Sequence, residues 1–157
     1  MKKIYIGIDP SISSSAVMVL DEDSNILDQK LIKTKPEKFK SYEERVCHIL
    51  SEMEFIKNIN CEIVYIEGIS YASRGASSYE LAGVNLFIRM FLYKNNIKFK
   101  PIAPTTIKKF ITGNGQCKKN LMLLQVFKKF GVEFSSDDLC DAYSLARLAI
   151  SKEFKNE

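Results

Sequence analysis

The chain has a single histidine, His48, and four cysteines without a C-x-x-C pair among them. Cys47, Cys61, Cys117 and Cys140 are too scattered for a zinc site or a disulfide framework, so reduced thiols are expected. No apolar run approaches the roughly 18 residues of a membrane span. The opening MKKIYIGIDP also lacks the h-region and cleavage site of a signal peptide. A cytoplasmic protein with no membrane association is therefore expected. Repeats, low-complexity tracts and linkers are missing too. The 157 residues are read as one domain, residues 1–157, long enough to bury a core without staples.

The most informative gap concerns acidic residues. Between residues 81 and 132 there is no Asp or Glu, whereas ten Lys and Arg fall inside, including Lys108, Lys109, Lys118 and Lys119. That segment carries +10, which against a total of +4 leaves −6 for the remainder. A polyanion-processing protein needs this division, with cations to hold phosphates and acids to hold a metal. The simpler alternative is a solvated helix face with incidental lysines. The length of the acid-free stretch favours nucleic acid.

What is present alternates between strand and helix patterns. KKIYIGIDPS, SSAVMVLDED and ILDQKLIKT read as three strands joined by short links, hence an antiparallel meander. KSYEERVCHILSEMEFIKN places Tyr42, Val46, Ile49, Leu50, Met53 and Ile56 at helical spacing. CEIVYIEG is a fourth strand, apolar enough for a sheet interior, and IKFKPIAP a fifth. Further helices are expected near residues 79–93, 105–111, 118–130 and 136–152. This order predicts an α/β fold, a five-stranded mixed sheet flanked by helices. In the 79–93 helix, Leu81, Val84, Leu86, Phe87, Ile88, Met90, Phe91 and Leu92 leave little polar circumference. One sheet-facing stripe cannot absorb them all, so a two-fold homodimer through this helix is expected, with complete burial inside one monomer as the alternative.

The segment SSDDLCDAYSLARLA crowds Asp137, Asp138 and Asp141 into a helix start. Helix-end chemistry accounts for the first two: Ser135 or Ser136 caps free N–H groups, and acids in the first turn suit the macrodipole. It accounts less well for Asp141, which lies in the second turn. Asp138 and Asp141, three apart, share a face and repel unless a cation lies between them. Asp9 ends the first strand and Glu67 the fourth. If these strands are neighbours, both acids emerge at one rim, and the closing helix can pack across it. Four carboxylates could then meet, which requires protons or metal. Oxygen ligands without His or Cys indicate magnesium or manganese. Two such ions roughly 3.5 to 4 Å apart are a common clamp for phosphodiester displacement. Taken singly, Asp9-Pro10 could instead be a turn starter and Glu67-Gly68 a surface strand end. His48, on the first helix, reads as a surface or boundary residue.

Four stretches together resemble the RuvC-type Holliday junction resolvases of the ribonuclease H-like superfamily: IGIDPSISSSAVMVL, VYIEGISYASRGASSYELAGV, PTTIKKFITGNGQCKKN and DDLCDAYSLARLA. The resemblance implies a ribonuclease H-like fold and a homodimer that cuts four-way DNA junctions. It also implies two Mg2+ per site, with Mn2+ as a substitute, held by Asp9, Glu67, Asp138 and Asp141. Asp137 has no role in that pattern and is assigned to the helix N-terminus. Lys108 and Lys119 fall where the family places DNA-holding basic residues, with Lys109 and Lys118 beside them. The Gly113-x-Gly115 pair is weak as a motif and reads equally as a helix-joining turn needing positive φ. Where the family carries an aromatic wedge after the I-E motif, this sequence has Ser70 followed by Tyr71, which either supplies the stacking ring one position later or sits in the core; Tyr71 and nearby Arg74 are DNA-contact candidates. The short, Lys- and Ile-rich chain resembles the compact phage-type members, which implies a wider range of branched substrates and, for a phage-encoded chain, a host cytoplasm. Competing functions are a non-catalytic junction-binding module, a nuclease on RNA/DNA hybrids, and a sugar-kinase or actin-like ATPase. The last shares I-G-I-D but needs a second domain half that this length does not provide.

Overall fold

A computed structural model of the chain describes residues 2–69 and 76–153. Strands β1 (Ile4–Asp9), β2 (Ser14–Asp21) and β3 (Ile26–Lys33) form the expected antiparallel meander. On the other side of β1 lie β4 (Ile63–Glu67) and β5 (Phe99–Ile102), both parallel to it, giving the order β3-β2-β1-β4-β5. Helices α1 (Tyr42–Glu52), α2 (Ala76–Lys94), α3 (Pro104–Thr112), α4 (Lys119–Phe130) and α5 (Asp137–Glu153) cover its two faces.

Alternation along the central strands feeds two separate cores. Ile6, Ile8, Val17, Val19, Val64 and Ile66 point to α1 and α2, where they meet Val46, Ile49, Ile88 and Leu92. Tyr5, Met18, Leu20 and Tyr65 point to the other face, against Ile107, Ile111, Met122 and the apolar side of α5. β1 is thus sandwiched, and each fully buried Ile on it is worth about 1.5–3 kcal/mol. The turn between β2 and β3 is secured by Asp21, whose carboxylate accepts from the backbone N of Asn25 at 2.8 Å and from its Nδ2 at 2.9 Å. Those bonds, the side-chain one foremost, hold the Asp21 carboxyl down to about 2.

The first helix is shorter than its periodicity predicts. α1 stops at Glu52, and residues 54–58 continue as a 3-10 helix. The tighter winding brings Met53 and Ile56, three apart, into the same core, both fully buried. All four cysteines are free thiols, and burial pushes Cys140 up to about 12. No helix among the described residues is long and apolar enough to cross a membrane.

Candidate active site

The sheet register brings the two strand-end acids together. β1 and β4 pair in parallel with Ile8 opposite Ile66, so the next residues, Asp9 and Glu67, leave the sheet at one rim. Beyond Asp9 the chain turns through a serine-rich loop, where the buried Ser15 hydroxyl donates to the carbonyl of Ser11 at 2.6 Å and accepts from its N–H at 2.9 Å. Arg45 of α1 holds the same loop, donating from Nη2 to the carbonyl of Ile12 at 3.1 Å.

α5 crosses β1 at close range because of Gly7. A Cβ there would lie 1.9 Å from the Ala142 carbonyl oxygen and 2.7 Å from the Ala146 nitrogen. A glycine on the strand and two alanines on the helix let the two backbones touch. This contact carries the first turns of α5, with Asp138 and Asp141, to the rim where Asp9 ends. The Ser136 hydroxyl accepts from the Asp138 N–H at 3.2 Å and so starts the helix.

Asp9 registers the meeting of the acids. It is only 7% exposed, and its carboxyl holds its proton well above the usual carboxylate range. Burial is the first cause, followed by the charges of Glu67 and Asp141, a hydrogen bond with the Glu67 carboxyl, and the charge of Asp138. Among the described residues, no group of three or more His, Cys, Asp or Glu side chains is arranged to hold a metal ion. The donor set nevertheless fits magnesium, which keeps several waters and is commonly bound by one or two carboxylates together with substrate phosphates.

The basic candidates lie on α3 and α4, which pack with α5 on one sheet face. Lys108 is half-buried, whereas Lys109 and Lys118 are exposed. The Lys119 side chain, Tyr71 and Arg74 lie outside the described residues. Gly113 has φ +79, as a helix-joining turn requires, while Gly115 sits where a Cβ would come within 3.0 Å of the Thr105 carbonyl. His48 is half-buried on α1, its ring 5.3 Å from that of Phe39. On α2, Val84, Ile88, Phe91 and Leu92 are buried against the sheet, while Leu86, Phe87, Met90 and Tyr93 are exposed. Two contributors escaped sequence reasoning. One is Gly7, whose only signal is its place inside I-G-I-D. The other is Asn85 of α2, whose Nδ2 donates to the Glu67 carbonyl at 2.6 Å.

Comparison with known proteins gives concordant results. The profile described as "Crossover junction endodeoxyribonuclease RuvC" matches residues 5–149. A protein of that name from Brachyspira hyodysenteriae is 28% identical over 147 residues, covering 91% of each chain. One from Orientia tsutsugamushi is 29% identical over 149 residues, covering 90% of this chain and 93% of that one. Thermus thermophilus RuvC superposes with a TM-score of 0.78 at 19% identity over 97% of this chain and 96% of that chain. The same protein in complex with a Holliday junction substrate gives 0.80 at 20% identity, over 98% and 96%. The superpositions establish the ribonuclease H-like fold. With the profile running from the first strand through the closing helix, the chain belongs to the crossover junction endodeoxyribonuclease RuvC family.

Proposed function

We propose that the chain is a magnesium-dependent endodeoxyribonuclease that resolves Holliday junctions and related branched DNA in the cytoplasm. It acts as one nuclease domain per subunit. In this reading Asp9, Glu67, Asp138 and Asp141 hold two Mg2+ ions, which Mn2+ can replace. The observation that carries it is Asp9, a buried carboxyl in the combined field of the other three acids. A fold gains nothing from assembling such repulsion unless a cation offsets it.

When bound, a pair of divalent ions activates water and stabilises the leaving oxygen. The protein's own part is placement. β1 and β4 hold Asp9 and Glu67 on rigid strand ends, and the α5 backbone, pressed onto Gly7, holds Asp138 and Asp141 above them. Lys108, Lys109, Lys118 and Lys119 then neutralise phosphates flanking the scissile one, with Tyr71 and Arg74, which follow the I-E motif in sequence, contacting DNA as well. The exposed Leu86, Phe87, Met90 and Tyr93 face supports a two-fold dimer through α2. Two symmetric sites suit the two opposed strands of a four-way junction.

The test is a labelled four-way junction beside a matching linear duplex and an RNA/DNA hybrid, in magnesium, with Asp137→Asn, Asp138→Asn and Asp141→Asn. The second and third variants are expected to abolish cleavage while retaining junction affinity. Asp137→Asn is expected to cut normally and lose only about 0.3–1 kcal/mol of helix-end stabilisation. A fully active Asp141→Asn protein would overturn the assignment. Preferential cutting of the hybrid would overturn the substrate.

A further inference from the structure

Asn85 is a polar side chain buried on α2, 2% exposed between Val84 and Ile88. Its Nδ2 donates to the Glu67 carbonyl at 2.6 Å, whereas its Oδ1 is buried and accepts no hydrogen bond from the described residues. An amide satisfied at one end only carries a desolvation penalty that an apolar residue of similar shape avoids. Stability therefore does not account for an asparagine here. Its location does, because Glu67 is the last residue of β4. The next residue, Gly68, donates its N–H to the Ile102 carbonyl at 2.7 Å. The backbone around Glu67 is thus gripped from two sides, by β5 at Gly68 and by Asn85 from α2.

We propose that Asn85 is a positioning residue for junction cleavage: by holding the Glu67 carbonyl, it fixes where the Glu67 carboxylate stands relative to Asp9. It acts through Glu67 and rests on the reading of Glu67 as a metal ligand. Support one step behind a ligand is effective because a small rotation about the ligand's backbone moves its oxygens by a distance the chemistry feels. A further consequence concerns assembly. Leu86 and Phe87, which follow Asn85 directly, belong to the exposed face of α2. In the dimer proposed above, the helix that would join two subunits is therefore the one that holds Glu67.

Asn85→Leu tests this, since leucine keeps the approximate volume and removes both the donor and the unsatisfied acceptor. The full-length variant is expected to melt at or above the parent temperature without metal, and to bind the junction in EDTA with unchanged affinity. Its Mn2+ affinity, titrated by electron paramagnetic resonance without DNA, and its single-turnover cleavage rate are each expected to fall by about 10- to 100-fold. Parent-like Mn2+ affinity and cleavage would overturn the proposal, as would an equal loss of junction affinity. Should the leucine variant fail to fold, Asn85→Ala, which clashes with nothing and cannot donate, is read by the same measurements and the same criteria. Glu67→Gln separates the two levels. An inactive Glu67→Gln beside parent-like Asn85 variants overturns the positioning role alone. A fully active one overturns the ligand assignment and this proposal together.

Discussion

Gly7→Ala probes the contact on which the site depends. The added methyl would meet the Ala142 carbonyl oxygen at 1.9 Å and the Ala146 nitrogen at 2.7 Å, where ordinary contact begins at 3.4 Å. Both obstacles are backbone atoms and cannot rotate away, so α5 must retreat from β1 by roughly 1.5 Å. Overpacking of this kind costs about 1–3 kcal/mol, and rigid obstacles put this case near the top of that range. For a chain of this size, about 3 kcal/mol lowers the melting temperature by about 6–12 °C. The functional effect is larger in proportion, because the retreat carries Asp138 and Asp141 away from Asp9. A misplacement on the order of 1 Å slows a reaction by about 100-fold. Gly131→Ala is the control. Gly131 caps α4 at φ +69 with nothing within 4 Å of an added Cβ, so alanine suffers only left-handed strain of about 1–2 kcal/mol. Junction cleavage is measured well below both melting points, with melting followed by circular dichroism. Gly7→Ala is expected to lose both stability and about two orders of magnitude in rate, and Gly131→Ala to lose stability while cleaving within about twofold of the parent. Parent-like cleavage and melting by Gly7→Ala would refute the reasoning, and equal slowing of both variants would reduce it to a generic effect of destabilisation.

Three other outcomes are expected. Magnesium or manganese should support nicking of branched DNA, EDTA should leave binding without cutting, and calcium should permit binding with poor cleavage because its looser coordination positions water badly; full activity in EDTA contradicts the metal assignment. Lys108→Ala and Lys119→Ala should each reduce the slope of log affinity against log salt by about one unit, and unchanged slopes would remove these residues from the DNA interface. Asp21, held at about 2 in the fold against about 3.9 in an unfolded chain, stabilises the protein fully above the higher value and loses that contribution as pH falls through the lower. Asp21→Asn should therefore lower the melting temperature at neutral pH and converge with the parent toward pH 2, and parallel melting curves across that range would contradict it.

The fold was legible where one residue's surroundings are set by its neighbours in sequence. Short links between three strand patterns forced a meander, and the apolar VYI of β4 forced a sheet interior; both are observed. Periodicity overran at the end of α1, because Met53 and Ile56 occupy core positions equally well in an α-helix or a 3-10 helix. On α4, Leu121, Leu124 and Phe127 repeat at helical spacing yet are exposed, since pattern alone cannot say which stripe finds a partner. The four acids stood out in the sequence because each lies at the end or start of an element, and Asp9 is observed in the field of the other three. Their supports did not. Gly7 matters for the α5 backbone passing over it, more than 130 residues away in the chain, and Asn85 for a carbonyl 18 residues earlier. Neither contact leaves a trace in local composition.

The crowded start of α5 separates into two jobs once the field at Asp9 is considered. The helix macrodipole acts on the first turn and fades beyond it, so it accounts for Asp137 and Asp138 and says little about Asp141. The charge of Asp141 nevertheless raises Asp9 more than that of Asp138 does, and it stands next after burial and Glu67. The residue that helix-end chemistry explains least thus also acts on the rim, where its charge raises Asp9. Asp138 takes part in both jobs: its N–H donates to the Ser136 hydroxyl at the helix start, and its carboxylate adds to the field on Asp9. Helix geometry permits this economy, because residues three apart return to one face while the residue before them points elsewhere. A stable helix start does not require an acid at position 141, whereas the proposed site with Asp9 and Glu67 gives that acid a role.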